Sequence, residues 1–125
     1  MALLGKAIAS KLSTVNSNRV YPNQAPQTIE DPVIIYYIVD TVPVNEKQGA
    51  APVDVSRVQI SIYAHSYAEV DSLAADVRTV MDNIRNKTVS GVNIIISRFD
   101  DQSDQYDEKA RKHQRNIDYI IRVKN

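Results

Sequence analysis

The sequence predicts an α/β domain of the two-layer α+β kind: a mixed four-stranded sheet with two helices packed on one face, in the order α-β-β-α-β-β. Three observations carry that prediction. In residues 57–64, Val58, Ile60, Ile62 and Ala64 alternate with Arg57, Gln59, Ser61 and Tyr63, the period of a half-buried strand. Directly after it, Ser66-Tyr67-Ala68-Glu69 has the form of a capping box, in which the serine hydroxyl accepts from the N–H of Glu69 and the glutamate reaches back to the N–H of Ser66. Val70, Leu73, Ala74, Val77, Val80, Met81 and Ile84 then recur at three- and four-residue steps, the single apolar stripe of an amphipathic helix. A one-faced strand that runs into a one-faced helix packs with it as layers.

The remaining elements follow in chain order. Residues 2–15 place Leu4, Ala7, Ile8, Leu12 and Val15 on one helical face, with Lys11 at its edge, where the stem covers apolar surface. Asn16-Ser17-Asn18 ends that helix. Residues 20–27 contain Pro22 and Pro26, which remove backbone donors and extend the residues before them, so this stretch reads as an extended loop. Asp31-Pro32 opens a strand over 33–39, an unbroken apolar and aromatic run that needs cover on both faces. Residues 43–52 read as the long polar loop of a hairpin. After the capped helix, 86–91 make the return and 92–99 form a third strand, again apolar on both faces. Residues 100–108 carry five carboxylates and no base, and 109–115 carry four bases. The chain closes on a strand over 116–124, with Ile117, Tyr119, Ile121 and Val123 on one face and Asp118, Ile120, Arg122 and Lys124 on the other. A strand–helix–strand crossover between parallel neighbours in such a sheet is right-handed.

A length of 125 residues fits one domain, taken as 1–125. Fifteen bases balance fifteen acids, which argues against a nucleic-acid binder that works by counterion release from a basic surface. The absence of cysteine excludes disulfides, thiolate metal sites and cysteine nucleophiles. No run approaches the length of a membrane span and no charged leader precedes an apolar run, so the protein is expected to be made in the cytosol and to leave it only within an assembly.

Candidate chemistry is sparse. His65 and His113 are far apart and form no ligand pair. His65, Ser66 and Asp71 invite a triad reading, but Ser66 is already used by the helix cap. The carboxylates of 100–108 lack the alternation and the central glycine of a calcium loop. Gly5, Gly49 and Gly91 form no phosphate cradle. No catalytic residue, cofactor or metal is expected.

Taken together, Arg19-Val20-Tyr21-Pro22 with Ala25-Pro26-Gln27, Pro32-Val33-Ile34-Ile35-Tyr36, and Val58 to Ala64 leading through Ser66-Tyr67 into a helix with Leu73-Ala74 resemble the tail-terminator or tail-completion proteins of long-tailed bacteriophages. The resemblance extends over about residues 2–124 and rests on order and spacing, with the acidic-then-basic tract unmatched. It implies a non-enzymatic virion protein, assembled in the host cytoplasm. This protein would form a hexameric ring on the head-proximal end of the tail tube, end tube growth and join the tail to the capsid connector, while DNA passes through without sequence-specific binding. The competing class is a small-molecule-binding or regulatory α/β domain with a pocket between sheet and helix.

Two physical arguments bear on such an assembly. The apolar runs at 33–39 and 92–99 place side chains on a second sheet face, covered either by further copies of the chain or by its own N-terminal segment and tyrosines. The acidic tract either lines a channel and repels phosphate, pairs with the 109–115 block of a neighbouring copy, or forms a solvated hairpin tip. Tyrosine suits surfaces that are apolar in body and wet at the tip. The candidate contact residues are therefore Tyr21, Pro22, Tyr37, Tyr63 and Ile95, with Asp100, Asp101, Asp104, Arg111 and Lys112 from the charged tract.

Overall fold

The computed structural model describes residues 4–16, 19–24, 32–44, 53–82, 84–109 and 111–124. Two helices, α1 (Leu4–Asn16) and α2 (Tyr67–Met81), pack on one face of a sheet built from β1 (Val20–Pro22), β2 (Val33–Val44), β3 (Val53–Ala64), β4 (Arg85–Val89), β5 (Val92–Asp107) and β6 (Lys112–Lys124). The α+β class and the two layers agree with the sequence reading. The sheet, however, has six strands rather than four, in the order β1-β2-β3-β6-β5-β4.

Each extra strand has a local cause. Val20-Tyr21-Pro22, expected as loop, runs parallel to β2, with Ile34 N donating to Arg19 O and Asn23 N donating to Tyr36 O, both at 2.9 Å. Pro22 is tolerated because β1 is an edge strand, where a missing N–H costs no ladder bond. Asn23, at φ 65°, then turns the chain away. Residues 85–89, of which 86–89 are expected as part of a return, form β4 against β5 through the two-residue turn Ser90-Gly91. Both turn residues have positive φ, 47° and 81°, as a hairpin turn matched to strand twist requires. The acidic tract is strand as far as Asp107, because β6 begins at Lys112 rather than 116 and pairs with it. The motif residues Ala25-Pro26-Gln27 and most of the polar loop, 45–52, lie outside the described residues.

β3 and β5 point the same way but are not neighbours, because β6 lies antiparallel between them. The connection through α2 instead leads from β3 to β4, which lies across both β6 and β5 and antiparallel to β3, so the expected right-handed crossover between parallel neighbours is not formed.

The capping box forms as read in its forward half: Ser66 Oγ accepts from Glu69 N at 3.1 Å. The helical stripe is buried at Val70, Ala74, Val77 and Met81, and Ile84 packs into the same core from the segment beyond the helix end. From α1 come Ala7, Ile8 and Leu12; from the sheet come Ile34, Val58, Ile60, Ile62, Ile117, Tyr119 and Ile121. Large side chains so enclosed each contribute roughly 1.5–3 kcal/mol over exposure. Tyr119 holds the far end of α2. Its hydroxyl donates to Asp82 Oδ1 at 2.5 Å, and Phe99 meets its ring edge-on at 6.1 Å. Arg78 lies 3.8 Å over the Phe99 ring and donates to Asp82 Oδ2 at 2.7 Å. Burial, followed by the Asp82 carboxylate, pushes the Tyr119 hydroxyl well above its ordinary pKa.

Bulges explain why the apolar runs did not alternate. β5 shifts register between Ile94 and Ile96 and again between Phe99 and Asp101. Ile94, Ser97 and Phe99 consequently share the helix-covered face with Val123, Ile121 and Tyr119, their partners across the ladder, despite uneven spacing. In β2 the shift falls between Ile38 and Asp40.

Candidate assembly surfaces

The sheet face away from the helices is organised by β2, β3 and β6. Pairing of Tyr21 with Ile35, Val33 with Tyr63 and Tyr37 with Gln59 sets Tyr21, Tyr37 and Tyr63 on this face, all half-buried, while Pro22, across from Tyr36, is exposed at the edge on the helix-covered face. The three tyrosines picked from sequence thus share one surface. Between them lies a hydrogen-bonded polar layer instead of an apolar one. Tyr37 Oη donates to Gln59 Oε1, while Asn116 Oδ1 accepts from Ser61 Oγ at 2.7 Å and from Gln114 Nε2 at 2.8 Å. Ser61 and Asn116 are 4% and 7% exposed, and Val33 is also buried. Apolar exposure is concentrated instead on the distal part of β2, at Ile38, Val39 and Val42.

Further along this face, Asp100 accepts from Arg57 Nη1 at 2.8 Å, and Asp101 stands directly across the ladder from Asp118. Burial first, then repulsion from Asp101 and Asp100, raises the Asp118 carboxyl above its ordinary pKa against the pull of Arg57. Ile95 sits half-buried at the first β5 bulge, on the opposite side of the sheet from β1.

Asp104 lies on the other face. The β5–β6 hairpin reaches beyond the core, and Arg115, with 5% of its side chain exposed, fastens it to α2. Its Nε and Nη2 donate to the Asp104 carboxylate at 2.8 and 3.2 Å, its Nη1 to Asp71 at 2.8 Å and its Nη2 to the Tyr67 hydroxyl at 3.0 Å. The charge-assisted bonds from Arg115 hold the Asp104 carboxyl below its ordinary pKa. His113 is packed between Tyr67, edge-on at 6.0 Å, and Tyr106 at 4.8 Å. These side chains border a surface groove of about 270 Å³. Arg111, at φ 55°, and Lys112 belong to the hairpin end.

The ten residues chosen from sequence therefore fall on several surfaces and form no single site. The acidic and basic blocks are two strands of one hairpin, and Asp104 and Arg115 pair within one chain. Sequence reasoning missed the Arg115 fastening to Asp71 and Tyr67. A signal was present: carrying the alternation of Ile117 and Tyr119 back two residues puts Arg115 on the buried face, where a charge requires partners. The triad reading fails, since Ser66 caps the helix, Asp71 faces Arg115 and His65 Nδ1 lies 3.4 Å from Arg111 O. Among the described residues no cluster of histidine and carboxylate groups is arranged to hold a metal ion, and no helix is long and apolar enough to cross a membrane.

A small two-layer α+β protein with long strand arms and charged, partly apolar faces has the character of a structural building block. The chain belongs to the family described as tail completion protein gp17, whose model matches residues 2–124, and it is accordingly a structural protein of a phage tail and not an enzyme. No curated protein matches its sequence. Its fold is similar to that of a chain in the virion of a native gene transfer agent particle, with a TM-score of 0.76 at 18% identity over 99% of this chain and 98% of that one.

Proposed function

We propose that copies of this chain close a hexameric ring on the head-proximal end of the phage tail tube, end its growth and join the tail to the capsid connector. Family membership over nearly the whole chain is the observation that carries this reading. The shared fold with a virion chain of a gene transfer agent particle supports a place within the virion after assembly in the host cytoplasm. In this reading the tyrosine face and Pro22 meet neighbouring subunits or the tube, and the exposed apolar edge at Ile38, Val39 and Val42 gains cover in the assembly. Ile95, the Asp100–Asp101 corner and the Arg111–Lys112 hairpin end serve as further contacts, and DNA passes through unread. Deleting the gene from the parent phage tests this. Overlong or headless tails are expected by negative-stain microscopy, and normal particles would overturn the proposal.

A further inference from the structure

Charge in this molecule is balanced in total but divided in space. From residue 83 to 99 the chain carries Arg85, Lys87 and Arg98 and no acid; from 66 to 77 it carries Glu69, Asp71 and Asp76 and no base. The first stretch forms β4 and the start of β5, at one edge of the sheet. There the ladder sets Arg85 across from Ile96 and Ile96 across from Arg122, while Lys124 faces Asn93. Arg85, Lys87, Arg98, Arg122 and Lys124 are all exposed, and none makes an ion pair with a described residue. Ile96 shares the face away from the helices with Arg85, Arg98, Arg122 and Lys124, with half-buried Ile95 at the bulge beside it, whereas Lys87, across from Ile94, lies on the opposite face, so the patch has an apolar middle and a basic rim of four.

The acids occupy the exposed side of α2, in the other layer. Ala68 and Ala75 lie between them, small enough to let another surface approach closely. Asp71 is paired with Arg115 of its own chain, but Glu69 and Asp76 sit in the opposite layer from the basic patch, so the two are not neutralised by each other within one copy and a second copy can present the complement. A contact between two different patches of identical chains is heterologous, the kind that closes rings.

We infer that the basic β4 edge of one copy, centred on Ile95 and Ile96, docks against the acidic face of α2 on the next. This rests on the ring proposed above and supplies its subunit contact. The apolar middle of the patch and the acidic match on the same chain favour a second copy over a nucleic-acid backbone as its occupant.

Two variants test it, both confined to exposed side chains and checked for folding by circular dichroism: Arg122→Glu with Lys124→Glu, and Glu69→Lys with Asp76→Lys. Sedimentation at low salt, alone and on purified tail tubes, should show each variant associating at least about tenfold more weakly than wild type, and an equimolar mixture of the two regaining assembly through reversed pairs. In a mixture of isotopically light and heavy wild-type chains, zero-length carbodiimide coupling should join Lys124 of one copy to Glu69 or Asp76 of another. Wild-type rings left unchanged by both reversals, without those links, would overturn the contact and leave the ring standing. A wild type that assembles neither alone nor on tubes would overturn both. Loss of duplex DNA retention by the Arg122→Glu, Lys124→Glu variant, with assembly intact, would reassign the patch to phosphate and equally overturn the contact.

Discussion

Asp104 and Arg115, eleven residues apart, face each other across the β5–β6 ladder in a two-pronged carboxylate–guanidinium pair, at 2.8 and 3.2 Å. That pair turns two blocks of opposite charge into one folded arm, and the third donor of the same guanidinium ties the arm to α2 through Asp71.

Arg115→Lys should cost about 1–3 kcal/mol in chemical denaturation, because an ammonium cannot reproduce the planar fork and leaves buried groups imperfectly paired. Amide exchange should rise mainly in the arm, residues 102–112. The Asp104 pKa is lowered on folding, so its contribution is present above the ordinary carboxylate pKa and lost as pH falls through the lowered value. Wild type should therefore lose stability in acid more steeply than Asp104→Asn.

Asp118 has the opposite sign. Its folded pKa is raised, so it favours folding at low pH and opposes it once pH has risen through that value. Asp118→Asn should thus melt above wild type at neutral pH. The gap should close as pH falls below the ordinary carboxylate range, and a variant less stable at neutral pH would contradict the burial and Asp101 repulsion assigned here.

Tyr119→Phe removes one hydrogen bond and keeps the ring, and Asp82 retains Arg78 as partner. The expected loss is about 1 kcal/mol, whereas Tyr119→Ala should cost roughly 3–5 kcal/mol by emptying the core. Thermal unfolding of the two variants separates bond from packing.

Ser66→Ala should cost about 1 kcal/mol, and Ser66→Asp should recover most of it, since either oxygen accepts from the N–H of Glu69. Equal losses in both would mean that the cap contributes nothing.

The parts of this fold legible in sequence are those fixed by local physics. The alternation from Val58 to Ala64, the serine cap and the stripe of α2 are each written within a few residues, and each appears as read. What escaped depends on partners distant in the chain. β1 is a strand only because the β2 edge accepts it, and β4 only because the Ser90-Gly91 turn folds it back on β5. The bulges of β5 broke the alternation that would have assigned its faces. The same division holds for the candidate surfaces. The tyrosines were chosen from residue type, and their common face follows from three separate strand pairings. The partners of Arg115 come from β5 and α2, which no local pattern joins to β6.

The position of β6 between β3 and β5 has a bearing on biosynthesis. β6 is made after the five other described strands and supplies both ladders between β3 and β5, so the preceding part of the chain holds two half-sheets, β1-β2-β3 and β5-β4, that only β6 joins. The two halves of the sheet can therefore join only once residues 112–124 have been made. A nascent chain stalled before that point would present unpaired strand edges to chaperones and to its own siblings.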